Sequence, residues 1–510
     1  MTLTRRRLLA SSLVAAGTLP LARVAQGQAA HRLTILHMND FHSRHEAVDG
    51  RALTCGRDRA DCFGGSARLA TAIQVQRTAA EADGRAVLLL DAGDQFQGSL
   101  FFTAHHGTAE LAVMHALGTE AMAVGNHEFD QGPGVLGAFA AAARFPVLSA
   151  NLDVSAEPLL AGKLRRYALL ERAGLRIGVV GLTTGQAEVS SSPGPRVRFL
   201  DPAAALVDAA AAARADGAAL VVALSHLGVL ADAVLAAPGV SVVIGGHSHT
   251  LLSNVEAGAL GPYPVPGTGA LVVQAGAYGR YLGRLDLDVA ADGTVLAHGG
   301  ECRHVGLDLP EDPAVAAIVA RYGAALQAVR QHQVAVLPDT LDVTGCRIGQ
   351  CRLGAVVADA LLHAAHGADL AVMNAGGIRT ALHAGPLTLG EVMEALPFGN
   401  TLATLTLTGA DVKAALEQGL VPGRGSFPQL AGARMEWDVG RPFGDRITRL
   451  EVRGADGGWM PLDPARRYLV ATNNFMRGGG DGYTVMRDRA VEPYDGGPGV
   501  AEVVAEALGQ

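Results

Sequence analysis

The chain is poor in aromatic residues, which make up 5% of it, with 2 tryptophans among 510 residues. It also lacks a basic excess: 41 Lys and Arg face 49 Asp and Glu, a formal net charge of −8. That balance excludes a general nucleic-acid binder, because affinity for a phosphate backbone needs a basic face. Any phosphate must therefore be met by local cations. No repeat of 20–50 residues is visible, and low complexity is confined to Ala-rich helical runs. There is also no apolar run of the roughly 20 residues that a membrane-spanning helix needs. The stretch from Leu8 to about Ala22 is shorter and contains Pro20. Preceded by T-R-R-R, it reads as a cleavable export signal over residues 1–29, of twin-arginine type, with an ordinary secretory signal as the alternative. The closing A-E-V-V-A-E-A-L-G-Q carries charge and no hydrophobic tail, so no lipid-anchor signal is expected. The expectation is a periplasmic or secreted protein without a membrane anchor.

Cysteine is scarce too, at five residues. Cys55 with Cys62 and Cys346 with Cys351 form close pairs that suit disulfides in an oxidising compartment. Each short loop would add about 2–3 kcal/mol on the chain-entropy model. A zinc site is the alternative, although only Cys346/Cys351 approaches knuckle spacing. Cys302 stands alone and reads as a buried small hydrophobe.

What is abundant is apolar: 49% of residues, with 65 glycines and 23 prolines spread along the chain. At this length two domains are expected. From Leu33 onward, short apolar runs ending in polar clusters alternate with Ala-rich amphipathic stretches, the rhythm of a mixed α/β domain. The runs L-T-I-L-H-M, A-V-L-L-L, F-P-V-L-S-A, I-G-V-V-G-L, L-V-V-A-L and V-S-V-V-I-G-G read as buried strands. The first domain is placed at 30–309. P-E-D-P and the helical pattern after it predict a connecting helix over 310–333, with Asp312 or Glu311 near its N-cap. A second α/β unit is expected over 334–510, with strands in A-D-L-A-V-M-N, T-L-A-T-L-T-L-T and R-Y-L-V-A-T-N.

The polar clusters sit just past strand ends, where α/β sheets place ligands. They are N-D-F-H (Asp40, His42), G-D-Q (Asp94), G-N-H-E-F-D (Asn126, His127, Asp130), S-H (His226) and G-G-H-S-H (His247, His249). Carboxylates, an amide oxygen and imidazoles are the donor set of a pair of divalent metal ions. Asp-x-His and His-x-His, at period two, place both side chains on one face of an extended segment. Asp94 is the natural carboxylate to lie between two ions about 3.5–4 Å apart.

These clusters resemble the calcineurin-like metallophosphoesterases, and specifically the 5′-nucleotidase family; the likeness covers nearly all of the chain after the signal. It implies a four-layer αββα metallophosphoesterase domain followed by an α/β nucleotide-binding domain. Carried over, Asp40, His42 and His249 hold one metal and Asn126, His226 and His247 the other. Asp94 bridges them. Zinc is the expected metal, with Mn, Co or Mg as alternatives, and a histidine at 249, a variable position where relatives can carry Asn or Gln, bears on that choice. His127 and Asp130 resemble the family's catalytic dyad, a carboxylate orienting an imidazole toward the leaving oxygen.

In the second half, Arg347 lies inside the Cys346/Cys351 loop and Arg379 follows a Gly pair. Guanidinium groups match phosphate oxygens bidentately, which makes the two a phosphate clamp. Phe398 and Phe475 fall in Gly/Pro-rich turns outside the periodic apolar runs. The resemblance makes them a base-stacking pair, Asn374 a base contact and Asp481 an acceptor for ribose hydroxyls. Tyr483 and Arg44 stay outside the expected site. The implied activity is hydrolysis of nucleoside 5′-monophosphates such as AMP by a metal-activated water. A broader hydrolase of UDP-sugars, dinucleotides or 2′,3′-cyclic nucleotides is the alternative, and a nucleotide-binding envelope protein the non-enzymatic one. The partner is a small-molecule nucleotide; no protein partner is implied.

Overall fold

Alternation along the strand His31–Met38 sends Leu33 and Ile35 to one face and Leu36 and Met38 to the other, and both faces are buried. A strand apolar on both sides belongs in a sheet covered on both sides. The computed structural model describes residues 31–510 except 50–54, 56–61, 236, 268, 455–456 and 496; the expected export signal, residues 1–29, lies outside the described residues. Among these, no helix is long and apolar enough to cross a membrane.

His31–Met38 pairs in parallel with Ala86–Asp91, followed by Ala121–Ala123 and Val147–Leu148. On its other side it meets the antiparallel hairpin Tyr281–Val289/Val295–His304, which was not foreseen from the sequence. A second six-stranded sheet has the parallel strands Leu175–Thr183, Leu220–His226, Val242–Gly245 and Leu271–Val273 at its centre. The sheets face each other through Leu33, Ile35, Leu88, Leu90, Ile177, Val179, Val222, Leu224 and Ile244. Helix Pro202–Ala215 covers the outer face of the second sheet through Leu206, Ala209 and Ala213 on Val221 and Val243. Helices Ser66–Ala82 and Thr108–Leu117 cover the outer face of the first through Leu69, Ile73 and Val113. The result is the four-layer αββα arrangement. Each fully buried aliphatic side chain contributes about 1.5–3 kcal/mol of transfer free energy.

The expected single connecting helix is two. Asp312 caps Pro313–Ala324, accepting from the Ala314 and Val315 N–H groups, and Gln327–Gln331 follows. The break coincides with Leu326, which is buried against Leu100, Phe101 and Ala109 of the first half. Beyond it, a five-stranded mixed sheet orders as Pro428–Ala431, Leu370–Asn374, Arg467–Asn473, Leu402–Thr408 and Val491–Tyr494. Helices Arg352–Ala364, Leu389–Ala395 and Val500–Gly509 pack on one face, and Gly409–Gly419 on the other. Both expected disulfides are formed, Cys55–Cys62 and Cys346–Cys351. Cys302 is buried, its thiol 3.6 Å from the Gln274 carbonyl oxygen.

Gly181 marks how tightly the two sheets meet. A Cβ there would lie 2.4 Å from the Leu148 carbonyl group, whereas one on Gly185 would meet nothing within 4 Å. Gly181→Ala should therefore cost about 1–3 kcal/mol in urea unfolding, from overpacking, while Gly185→Ala should change stability by less than about 0.5 kcal/mol. Equal stability of the two variants would contradict this packing.

Candidate metal centre and substrate cleft

Each metal-type residue sits where a strand of the first half stops. Asp40 and His42 follow His31–Met38, Asp94 follows Ala86–Asp91, Asn126 follows Ala121–Ala123, His226 ends Leu220–His226, and His247 and His249 follow Val242–Gly245. The extended geometry expected for Asp-x-His and His-x-His is not what occurs. Asp40, His42, His247 and His249 have φ of +50°, +52°, +72° and +54°, and Asp94 of +56°. Left-handed backbone is costly for non-glycine residues and persists only where the surroundings impose it. Here the chain turns sharply at each strand end, and convergence of the side chains comes from the turns rather than from pleating.

Ligand-type atoms of Asp40, His42 and His249 lie within 4.8 Å of one another, and so do those of Asp94, His226 and His247. His42 Nε2 is 3.0 Å from His249 Nε2, close to the ligand separation of about 3.3 Å around a tetrahedral ion with bonds near 2.0 Å. His42 Nδ1 faces the Phe96 carbonyl oxygen at 3.3 Å and His226 Nδ1 donates to that of Ala92 at 2.7 Å, which leaves each Nε2 turned to the centre. Asp94 Oδ2 lies 3.0 Å from His226 Nε2 and 3.9 Å from His42 Nε2, so it reaches both groups. Asn126 Oδ1 is 2.9 Å from His247 Nδ1. His226 Nε2 is buried yet makes no well-formed hydrogen bond, an orphaned nitrogen that a cation would satisfy.

Electrostatics divide the imidazoles: burial opposes protonation of His226, but the charges of Asp94 and Asp40 outweigh it and raise that group to about 10, while the other three go the opposite way. Burial holds His42 well below its usual pKa and His247 and His249 down to about 4 and about 3, leaving them neutral, the form that binds metals. Burial, reinforced by Asp94, pushes the Asp40 carboxyl up to about 7 against the opposing pull of His226. Packing two carboxylates together in a buried site is what bound divalent cations offset. The residues fit a pair of such ions.

His127 Nδ1 is 2.6 Å from Asp130 Oδ2, whose other oxygen accepts from the Ser191 hydroxyl at 2.7 Å. Burial opposes protonation of this imidazole, but the charges of Asp130 and Asp94 outweigh it and raise its pKa. Its ring is 5.2 Å from that of His42 and 6.0 Å from Phe398, which the second half contributes.

A cleft of about 1660 Å³ joins the two halves. One wall carries His42, Asp94, Asn126, His127, His247 and His249; the other carries Arg347, Asn374, Arg379, Phe398, Phe475 and Asp481. Asp40 and His226 lie behind the first wall, fully buried. Neither Arg347 nor Arg379 forms an ion pair or side-chain hydrogen bond among the described residues, so both guanidinium groups are available to an anion. Phe475 sits in a one-turn helix, Asn474–Arg477, capped by Asn473, rather than in a turn. Its ring lies over Gly480, where a Cβ would approach to 2.4 Å. Among the described residues Phe398 and Phe475 make no ring contact with each other. Asn374 donates to Asp481 Oδ2 at 2.6 Å and accepts from Asn473 at 3.0 Å, which leaves one amide hydrogen for a ligand. Tyr483 is buried and donates to the Ser426 carbonyl oxygen, a packing role.

Three supports escaped the sequence reading. The Glu128 carboxylate accepts from the backbone N–H groups of Asp94, Gln95, Phe96 and Gly125 at 2.6–3.2 Å; its position between Asn126 and Asp130 was the available signal. Asn39 donates to Asp40 Oδ2 at 2.7 Å. Gln429 donates to the Cys346 and Gly349 carbonyl oxygens and accepts from Cys351 N–H, fixing the loop that carries Arg347. No local pattern announces Gln429, because its contacts are about 80 residues distant in sequence.

Residues 33–251 match the calcineurin-like phosphoesterase model and residues 331–488 the 5′-nucleotidase C-terminal domain model. The chain is 33% identical to 5′-nucleotidase of Bos taurus, over 93% of this chain and 87% of that protein. It is also 33% identical to the trifunctional nucleotide phosphoesterase protein of Bacillus subtilis over 89% of this chain, and spans about a third (32%) of that longer protein. The crystal structure of a 5′-nucleotidase precursor from Thermus thermophilus superposes with a TM-score of 0.85 at 39% identity, covering 94% of this chain and 96% of that one. With the αββα layers, the paired ligand groups and both matched segments in place, this chain belongs to the 5′-nucleotidase family of calcineurin-like metallophosphoesterases.

Proposed function

We propose that the chain hydrolyses nucleoside 5′-monophosphates, AMP among them, to nucleoside and phosphate. The observation that carries this reading is one cleft with two ligand groups meeting at Asp94 on one wall and two uncommitted arginines beside two phenylalanines on the other. Asp40, His42 and His249 would hold one ion, Asn126, His226 and His247 the second, with Asp94 between them. Zinc suits the imidazole-rich donors, with Mn, Co and Mg as alternatives. Two bound divalent ions supply an activated water and neutralise charge on the phosphoryl oxygens.

The remaining work falls to the chain's own side chains. Arg347 and Arg379 hold the phosphoryl oxygens, and Phe398 and Phe475 bracket the base, each contributing about 1–3 kcal/mol of stacking. Asn374 meets the base and Asp481 the ribose hydroxyls. Water adds to phosphorus in line, and His127, held by Asp130, gives its proton to the departing ribose oxygen. A second reading, a broader nucleotide phosphohydrolase, draws on the cleft volume of about 1660 Å³, which exceeds what a monophosphate fills. We also place the division between halves at 310–333, with 30–309 before it and 334–510 after it, and assign residues 1–29 as an export signal to the periplasm or exterior. The two disulfides support an oxidising destination.

Phosphate release from AMP should vanish on chelation and return when Zn²⁺, Mn²⁺, Co²⁺ or Mg²⁺ is restored. AMP left intact with every one of these ions would refute the reading. His127→Ala should keep its metal content, measured by elemental analysis, and lose about 10²–10⁴ in kcat. Unchanged turnover in that variant would remove His127 from proton transfer.

A further inference from the structure

The segment 40–45 carries Asp40 and His42 to the candidate metal centre and Arg44 to the cleft. Asp40, His42 and Ser43 in it hold φ of +50°, +52° and +57°. Such backbone persists only where its surroundings impose it. The side chains that face the cleft do little of that: His42 reaches the Phe96 carbonyl oxygen at 3.3 Å, and Arg44 Nε and Nη1 make no hydrogen bond among the described residues. The segment is held from behind.

Ser43 is the point of attachment. Its N–H donates to the Gln95 carbonyl oxygen at 2.9 Å, and its own carbonyl oxygen accepts from the His45 N–H at 2.9 Å and the Ser99 hydroxyl at 2.6 Å. Its hydroxyl donates to Glu110, which lies 67 residues further along the chain in helix Thr108–Leu117 of the outer layer. The same carboxylate oxygen is 3.5 Å from His45 Nε2. His45 Nδ1 in turn meets the Ser66 hydroxyl at 2.8 Å, at the start of helix Ser66–Ala82. The Phe41 and Phe101 rings pack on His45, their centres 5.4 Å and 5.1 Å from its own. Ser43, His45, Ser66 and Glu110 are each at most 3% exposed.

The other buried residues of helix Thr108–Leu117 are Ala109, Leu111, Val113, Met114 and Leu117, all apolar. Glu110 Oε2 and His45 Nε2 make no hydrogen bond among the described residues. A buried carboxylate with one oxygen unpaired carries a desolvation cost that an apolar side chain on the same helix face would not. Its presence therefore answers a demand other than packing. Glu128 ties the Asp94 loop to the Asn126 loop. Glu110 bonds instead to the segment of Asp40 and His42, and among the described residues no hydrogen bond or ion pair links it to Asn126, His226 or His247.

We propose that Glu110 is a positioning residue: through the Ser43 hydroxyl, with His45 and Ser66 behind, it sets His42 for the ion assigned to Asp40, His42 and His249 and leaves the other ion untouched. The inference rests on the proposed assignment of that ion. Groups that orient a metal ligand from behind change metal affinity about 10–100-fold when they are lost.

The test loads the full-length protein with Co²⁺ and withdraws the ion with a competing chelator while the visible absorption is followed. Wild type is compared with Glu110→Leu, Glu110→Gln, Ser43→Ala and the double variant Ser43→Ala/Glu110→Leu. Wild type should hold two Co²⁺. Glu110→Leu and Ser43→Ala should each weaken one of them about tenfold or more, altering its absorption, and keep the other within about threefold. Glu110→Gln, which retains an oxygen for the Ser43 hydroxyl, should restore both. The double variant should be no weaker than Glu110→Leu, because the two side chains act through one bond. Equal weakening of both ions, weakening of neither, or losses that multiply in the double variant would overturn the proposal. Ser43→Ala, which deletes a single hydroxyl, decides the matter if Glu110→Leu fails to fold. A wild type that holds fewer than two Co²⁺ refutes the two-ion assignment and the proposal with it. A wild type that holds two and leaves AMP intact refutes the monophosphatase reading alone, and the Glu110 result stands.

Discussion

The Glu128 carboxylate draws backbone N–H groups from two neighbouring strand ends onto its two oxygens. That one interaction sets the distance between the Asp94 loop and the Asn126 loop. Gly125 permits the approach, since a Cβ there would lie 2.2 Å from Asp94 Oδ1. Asp94 in turn accepts from His127 N–H at 2.9 Å and faces His226 at 3.0 Å. Candidate ligand positions on three different strands thus depend on a carboxylate that never faces the cleft, and on a glycine whose missing side chain leaves room for Asp94.

Left-handed backbone at Asp40, His42, Asp94, His247 and His249 has the same origin. A straight continuation of each strand would carry its side chains past the centre, and a sharp turn returns them to it. Strain of about 1–3 kcal/mol at such a residue is sustained by the double-sided burial of the strands that lead into the turns. The core therefore does more than stabilise; it forces the donors into one small volume.

Much of this was legible in the residues. Buried strands announced themselves as short apolar runs, and the polar strings after them marked the side chains that the turns bring together, because strand ends are where ligands gather. What the sequence could not convey was distance-dependent. Gln429 and the Cys346–Cys351 loop are about 80 residues apart and meet only after the second sheet forms. The helix break at Leu326 arises from packing on Phe101, a tertiary effect invisible to periodicity. Arg44 read as neutral because an arginine's partners, or their lack, emerge only on folding. The Asp-x-His spacing was read correctly as a pair and wrongly as extended, since period two fits a strand and a tight turn alike.

The two walls of the cleft rest on separate hydrophobic cores, joined by the small Leu100, Phe101 and Leu326 cluster and the Arg330–Glu46 pair. The proposed ion-holding donors and the proposed base-stacking side chains are thereby carried on units whose interiors repack independently. Substitutions that retune which base or sugar is accepted need not disturb ion coordination, and the reverse holds as well. Such separation lets one hydrolytic apparatus be inherited intact while its selectivity drifts, which makes crossover between relatives near residues 325–333 the natural route to new substrate ranges.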